Sequence, residues 1–540
     1  MRGKNEDLLA SDSVIRSSWS RFDFGDRLME YVIGVDIGTQ STKALLISKN
    51  GEIIAQASQS YKVDQPQPMW VEQWPDVWWQ AVKHTIKELV SKSNVVSTDI
   101  KALCVSSLYG GSGIPVDQNI KPLHPCLIWM DRRANKEVEQ IKSTVDLDRL
   151  QQITGNGVDS YYGYSKILWL KNNRPDVWQK THYLLPPNSF IQYQLTGEIA
   201  VDHSSAGNIG GVYDIQQRTW SKEMLSALDL PTHMFPSRLV ASDEIVGKLQ
   251  HDIAKELGLA ADTPIVAGGV DAAIATLAAG VTEPGNHVAM IGTSMCWGFI
   301  NKQVDAKNGL ISMPNVVNSQ EDVYIFGGAI TAGASVAWFR DQFCQQEKIA
   351  SDVLDGIDAH ELLELKAKKI PAGSDGIIFL PYLMGERSPI WDSNASGAFV
   401  GLSLFHTKFH MYRAVLEGVA FALRHNIECG KRAAEKLDDQ LIVVGGSAQS
   451  DMWMQIIADI TGFDVYTIEQ EVEAPLGAAL LAAKAIHLID GISTIKQWRK
   501  LKLRASVISE NKSRYDQMFE VYKRLYLTLK DSMYDLKRIS

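Results

Sequence analysis

Tyr31-Val-Ile-Gly-Val-Asp-Ile-Gly-Thr-Gln-Ser-Thr-Lys-Ala-Leu-Leu-Ile-Ser48 joins two β-rich runs across a Gly/Thr/Ser turn, with Asn50-Gly51 and then Glu52-Ile-Ile-Ala-Gln-Ala57 close behind. Asn-Gly between β-rich runs is the strongest short hairpin signal, since both residues accept a positive φ. The segment therefore predicts a three-strand antiparallel meander. Its first turn carries chemistry of its own. Asp36 closes a strand, Gly38, Thr39, Gln40, Ser41 and Thr42 offer backbone N–H and hydroxyl groups, and Lys43 adds a cation. Such a turn suits phosphate oxygens, with Asp36 near a hydrated divalent cation and Lys43 near a terminal phosphate. It is not the Walker form, because no G-x-x-x-x-G-K-[ST] occurs and no helix follows.

Working outward, helical spacing takes over around Trp74 to Leu89, and the apolar run Ala102 to Ser107 leads into the loop Tyr109-Gly-Gly-Ser-Gly113. Helices and strands alternate from there, which predicts α/β layers. The second half echoes the opening. Asn286-His-Val-Ala-Met-Ile-Gly-Thr-Ser-Met-Cys-Trp-Gly-Phe-Ile300 repeats the form strand, Ile-Gly-Thr turn, strand. A duplicated domain pair would place Gly292, Thr293 and Ser294 across a cleft from Gly38. Between the two turns lies Gly268-Gly-Val-Asp271 at the head of a small-residue helical run. Asp271 there is either a helix cap or a general base approached closely over bare backbone. Leu441-Ile-Val-Val-Gly-Gly-Ser447 reads as a buried strand ending in a nucleotide platform. Glu473-Ala-Pro-Leu-Gly-Ala-Ala479 reads as small-residue helix packing or as the wall of that platform. Met518, Tyr522, Leu525 and Leu529 form a helical packing stripe.

Composition narrows the partners. With 540 residues, two or more domains are expected, and 45% hydrophobic against 22% charged residues excludes disorder or coiled coil as the overall class. A formal charge of −9 with no basic block argues against nucleic acid and anionic membrane. The longest apolar run, Ala272 to Val281, is about half the length of a bilayer span. Five scattered cysteines without C-x-x-C spacing point to a reducing cytosol and no structural zinc. Residues 1–28 lack a signal-peptide core and read as a poorly ordered extension.

Taken together, the motifs resemble the FGGY carbohydrate kinase family of the actin-like, ribonuclease-H-like ATPase group. The resemblance runs in family order from Asp36-Ile-Gly-Thr39 through Trp70-Val-Glu-Gln73, Ile128-Trp-Met-Asp-Arg132, Gly269-Val-Asp271 and Gly292-Thr-Ser294. It continues through Gly385-Glu-Arg-Ser-Pro389, Gly401-Leu402, Arg413-Ala-Val-Leu-Glu417 and Gly445-Gly446. It implies two actin-like α/β domains with a cleft between them, at 29–278 for sugar and phosphate and 279–500 for nucleotide, then a helical segment at 501–540. By the same resemblance Asp271 is the catalytic base, and Gly38 to Lys43 with Gly292 to Ser294 bind phosphate. Gly333, Gly445, Gly446, Ser447 and Ser450 bind nucleotide. Tyr109, Gly110, Gly111, Trp129, Asp131 and Arg132 contact sugar. ATP and Mg²⁺ are the implied cofactors, the ion held through water by Asp36 and Asp271, and a homodimer is left open.

Within the family, Leu108-Tyr-Gly-Gly-Ser112 departs from the Met-His-Gly typical of xylulokinases and from the Arg-Glu pair of glycerol kinases. That disfavours glycerol and leaves D-xylulose without its usual recognition motif. The expected activity is transfer of the γ-phosphoryl group of ATP to a primary hydroxyl of a small sugar, a ketose such as a pentulose, with an aldonate or polyol as the alternative. An actin- or chaperone-like ATPase without a sugar substrate is the competing class. Against it stand the tryptophans of Trp70 to Trp79 and of Trp129 to Arg133, whose indole faces would suit sugar C–H surfaces.

Overall fold

Tyr31–Ile37 (β1) pairs antiparallel with Ser41–Ser48 (β2), from Tyr31↔Ser48 to Ile37↔Thr42, and Ile53–Ser60 (β3) completes the expected meander. The computed structural model describes residues 30–304, 307, 309–353, 357–434, 436–468 and 474–539. The extension 1–28 lies outside them. On its other side β1 runs parallel to Ile100–Ser107 (β4), so Val32, Ile33, Val35 and Ile37 are all buried, as expected of a central strand covered on both faces. Ile245–Lys248 (β5) and Pro264–Val266 (β6) complete a six-stranded sheet in the order β5-β6-β4-β1-β2-β3. Helix α1, Pro75–Ser93, starts on a proline at its first turn and ends at Asn94 in the left-handed region. Trp78, Val82, Ile86 and Leu89 lie on its buried side.

The second half rebuilds the same plan. His287–Ile291 (β7), Met295–Asn301 (β8), Ile311–Pro314 (β9), Val323–Gly327 (β10), Gln440–Val444 (β11), Asp464–Ile468 (β12) and Leu501–Ala505 (β13) form a seven-stranded sheet ordered β9-β10-β8-β7-β11-β12-β13. In both sheets three antiparallel strands lead, through the first of them, into two parallel neighbours and one antiparallel edge, and the second sheet adds β9 antiparallel to β10 at its other edge. The duplication inferred from two Ile-Gly-Thr turns is thus a duplication of whole sheets. Strand β13 modifies one expectation, since the segment from 501 opens with a strand before its helix. Its alternation Leu501-Lys-Leu-Arg-Ala505 suits a charged sheet edge.

Seven further helices place the site. They are Gly163–Asn173 (α2), Asp271–Ala278 (α3), Gly333–Phe343 (α4), Lys408–Lys431 (α5), Asp451–Thr461 (α6), Ala474–Ala485 (α7) and Ser509–Ile539 (α8). Helix α7 lies between β12 and β13 of the second sheet in sequence but packs against β1 of the first. A Cβ on Gly34 would fall 1.8 Å from the Pro475 carbonyl oxygen, and one on Gly477 would fall 2.2 Å from that of Ile274. The small residues of 474–479 therefore serve close packing between the halves, which favours the packing reading over a nucleotide wall. The Arg413-to-Glu417 motif is structural as well. Buried Glu417 accepts hydrogen bonds from the Gly373 N–H (2.9 Å), Ser374 Oγ (2.8 Å), Arg413 Nε (2.8 Å) and Tyr515 Oη (2.6 Å), fastening α8 to α5. Tyr515, Phe519, Tyr522, Tyr526 and Met533 are buried along α8. Met518, Leu525 and Leu529 of the expected stripe pack partly buried beside them. Among the described residues no helix is long and apolar enough to cross a membrane.

Candidate active site

The carboxylate at the centre of the site is positioned by two glycines that leave no room for side chains. Gly268 has φ +62° and a Cβ there would meet the Val105 carbonyl oxygen at 2.0 Å, while one on Gly269 would meet Ser204 Oγ at 2.4 Å. A buried relay holds the turn. Asn188 Nδ2 donates to Asp202 Oδ2 (2.8 Å), Ser204 Oγ donates to Asp202 Oδ1 (2.5 Å), and the Val270 N–H donates to Ser204 Oγ (3.1 Å). Helix α3 then begins at Asp271 with Val270 as its N-cap residue, so Asp271 is not the cap that its position first suggested. Its Oδ1 accepts only the neighbouring Ala272 N–H, at 2.6 Å, among the bonds seen.

Asp271 looks into a cavity of about 170 Å³ whose walls include Thr39 and Trp129 from the first half and Ser294 and Arg387 from the second. Burial, and then the charge of Asp36, hold the Asp271 carboxyl well above the usual carboxylate range. Asp36 stands at the end of β1, where its Oδ1 accepts from Ser106 Oγ at 2.7 Å. Trp129 Nε1 donates to Thr39 Oγ1 at 3.1 Å, which ties the first hairpin turn to the aromatic wall. Tyr109 and Tyr161 complete that wall with ring centroids 5.2 Å apart. Lys166 of α2 lies beneath them, fully buried, with Nζ donating to the Tyr161 carbonyl at 2.5 Å. Burial pushes its ammonium down to about 7.

A second cavity, about 760 Å³, opens on the far side of the second hairpin turn. Gly292, Thr293, Gly333, Gly446, Ser447 and Ser450 all line it. Gly333 N–H donates to the Gly292 carbonyl at 2.9 Å, and a Cβ on Gly333 would meet that oxygen at 2.5 Å. This contact seats the turn on the start of α4. Gly445 (φ +99°) is pressed against Ile291, whereas a Cβ on Gly446 would meet nothing within 4 Å. Ser450 has its hydroxyl committed elsewhere. It caps α6 by accepting from the Trp453 N–H (3.0 Å) and donates to Glu364 (2.5 Å).

Several expected contacts turn away from the cleft. Asp131 is fully buried, and its oxygens accept from the Val71 N–H (2.6 Å), the Arg133 N–H (3.1 Å) and Arg133 Nε (2.8 Å), so its sugar-orienting role is withdrawn. The reason is Arg133, whose guanidinium sits 3.8 Å from the Trp70 ring centroid and also pairs with Glu72, and a cation so enclosed requires a carboxylate. Trp70 thus clamps an arginine and Trp78 packs in the core, leaving Trp129 as the indole that faces the cavity. Thr42 is fully buried against Tyr61 Oη (3.2 Å), which removes it from the phosphate-facing set. Gly110 and Gly111 permit close packing, against the Pro187 ring and the Leu127 carbonyl. The Tyr109 hydroxyl accepts from the Gly163 N–H, so only its ring is offered to the cavity. Arg132 pairs with Asp159 at the rim, over the Tyr161 ring. Gln40 is exposed and Lys43 is partly exposed, directly across the strand pair from Asp36.

Sequence reading missed Tyr161, Asn208, Cys296 and Arg387 as cavity residues. Arg387 lay within the quoted Gly385-to-Pro389 motif without an assigned role. Asn208 sits in a polar run with no period to betray it.

Twin α/β domains, with a carboxylate cavity and a glycine-floored cavity meeting at one hairpin turn, define a two-domain sugar-kinase architecture. The family comparison is specific. The chain matches the N-terminal domain of the FGGY family of carbohydrate kinases over residues 31–278 and the C-terminal domain over 287–486, and it belongs to that family. It is 31% identical over 510 residues to a xylulose kinase of Bacillus subtilis, covering 93% of this chain and 98% of that one. It is 30% identical over 501 residues to a gluconokinase of the same organism, covering 92% and 96%. A ligand-bound xylulose kinase from Lactobacillus acidophilus superposes with a TM-score of 0.86 at 26% identity, covering 94% of this chain and 100% of that chain. The protein is a carbohydrate kinase, and the alternative of an ATPase without a sugar substrate falls away.

Proposed function

We propose that the protein transfers the γ-phosphoryl group of ATP to a primary hydroxyl of an open-chain ketose, a pentulose such as xylulose. Residues 29–278 would hold sugar and phosphate, and residues 279–500 the nucleotide. The observation that carries this reading is Asp271, a carboxylate of raised proton affinity in a cavity walled by both halves. A stronger base takes a hydroxyl proton more readily. Asp271 Oδ accepts that proton as the sugar oxygen bonds to the γ-phosphorus, the bond to the β–γ bridging oxygen breaks, and ADP departs. Thr39 and Ser294 bring hydroxyls from opposite hairpins to the same space, and Trp129 and Tyr161 exclude water around the acceptor. Two carboxylates close enough to raise a proton affinity suit a divalent cation, so Asp36 and Asp271 would hold Mg²⁺ through water. When bound, the ion supplies charge neutralisation at the phosphate oxygens.

An aldonate such as gluconate is the second reading. Arg387 favours it, since a guanidinium in the acceptor cavity accommodates a carboxylate as well as a carbonyl. A coupled ADP-release assay with D-xylulose, D-ribulose and D-gluconate separates the two. Turnover confined to gluconate would replace the ketose reading, and turnover with none of them would remove both.

A further inference from the structure

Two polar side chains line the acceptor cavity from opposite halves with buried polar atoms left unpaired, although the Arg387 guanidinium also lies 5.8 Å from the Tyr161 ring centroid. Asn208, the last residue of the short helix His203–Asn208, is 0% exposed, and neither its Oδ1 nor its Nδ2 has a hydrogen-bond partner among the described residues. Arg387 is 8% exposed and its Nε is likewise unpaired. Both line the cavity that holds Asp271. Other buried amides nearby are satisfied. Asn188 bonds to Asp202, and Asn156 bonds to the carbonyls of Thr154 and Ser312. Single unpaired polar atoms are also buried elsewhere, on Trp78, Ser242 and Ser319 for instance, but Asn208 is an amide with both ends unpaired on the wall of a cavity, which marks a group whose partner arrives with the ligand.

We propose that Asn208 and Arg387 are specificity-determining residues for the acceptor, selecting a polyhydroxylated chain longer than glycerol with a carbonyl or carboxylate oxygen toward Arg387. This rests on the cavity being the acceptor site. The donor inventory sets the class. An amide offers one acceptor and two donors and so reads a hydroxyl in either sense, whereas a guanidinium only donates and requires an acceptor opposite it. Glycerol, with one hydroxyl reacting at Asp271, brings two more for three unpaired atoms on two walls and carries no carbonyl. A site built to bond substrate groups rejects analogues that leave its own groups unpaired.

The test uses the full chain as wild type, Asn208→Ala and Arg387→Lys, assayed with D-xylulose, D-ribulose, D-gluconate and glycerol. The wild type is expected to favour its best acceptor over glycerol by about 100-fold or more in kcat/KM. Asn208→Ala is expected to raise the KM of that acceptor about tenfold and to narrow the gap to glycerol, with the KM for ATP and the Tm unchanged. Arg387→Lys keeps the charge, loses the planar fork, and should lower kcat/KM for carbonyl or carboxylate acceptors more than for glycerol. Unaltered sugar KM and selectivity in Asn208→Ala, or parallel shifts in ATP KM and Tm, would overturn the proposal. If the wild type turns over none of the four compounds, the kinase substrate reading fails separately. Calorimetric titration of the same compounds then decides the residues' role. Binding lost in Asn208→Ala supports it, while equal binding in both, or none to the wild type, overturns it.

Discussion

The turn at Gly38 and the turn at Gly292 occupy the same place in two sheets of one plan, yet only the first carries a charge. Asp36 stands two residues before Gly38, and Met290 stands two residues before Gly292. Asp36 faces Lys43 across the strand pair, and Met290 faces Cys296. The backbones diverge too. Gly38 N–H donates to the Ser41 carbonyl at 2.9 Å, while the second turn is a residue tighter, with Gly292 N–H donating to the Ser294 carbonyl at 2.9 Å. Its own carbonyls take up the N–H groups of Gly333 (2.9 Å) and Ala334 (3.0 Å), so it is bolted to helix α4. Duplication has kept the hairpin as a frame. One copy supplies the carboxylate, and the other forms the boundary between the Asp271 cavity and the cavity lined by Gly446.

That asymmetry can be broken directly. Asp36→Asn should lower kcat by about 100-fold or more, as expected when charge handling at transferring phosphate is lost. Met290→Asp in the same chain should restore nothing. Because the Asp36 charge helps raise the Asp271 proton affinity, the acid limb of the remaining kcat/KM profile should move to lower pH in Asp36→Asn. Near-wild-type kcat would show that the two turns are chemically equivalent after all. Smaller effects sharpen the division of labour. Thr39→Val should raise the sugar KM about fivefold, through the lost Trp129 bond, and leave the KM for ATP in place. Thr293→Val, in the other cavity, should do the reverse by a similar factor. The smallest contrast is steric. A Cβ on Gly38 would sit 3.0 Å from the Ser41 carbonyl oxygen, and one on Gly292 would meet nothing within 4 Å. Chemical denaturation should therefore show Gly38→Ala destabilised by about 1 kcal/mol and Gly292→Ala unchanged.

The frame was legible because it is local. Two β-rich runs and an Asn-Gly turn lie together between Tyr31 and Ala57, the Ile-Gly-Thr turn at Ile37 recurs at Ile291 in a second such window, and Asp271 gained its place by lying between the repeats. The Asp271 cavity was only half legible. Asn208 and Arg387 reach it from positions far apart, and no periodicity marks a side chain whose distinction is a buried polar atom left unpaired. Asp131, Arg132 and Arg133 stand side by side in the sequence, and only packing tells which turns inward. Arg133 wedges beside Trp70, claims Asp131, and leaves Arg132 at the rim. For helix α7 the sequence left packing and a nucleotide wall both open, because its seat on the opposite half's strand depends on Gly34, whose neighbour is more than four hundred residues away.

The central claim is that Asp271 takes the acceptor's proton, and Asp271→Asn tests it most directly because the two side chains share shape but not basicity. A stability control goes with it. The native carboxyl holds its proton to higher pH than the unfolded chain does, so native protein binds the extra proton above the ordinary carboxylate range. The empty wild type should lose stability as pH rises through the raised value. Asp271→Asn should lack that slope, which confirms that the variant folds and that the carboxyl was enclosed. Single-turnover assay at saturating ATP and sugar is then decisive. The account predicts both ligands bound and phosphoryl transfer slowed by about 10² to 10⁴-fold. A folded variant that binds both ligands and transfers phosphate at near wild-type rate would contradict it.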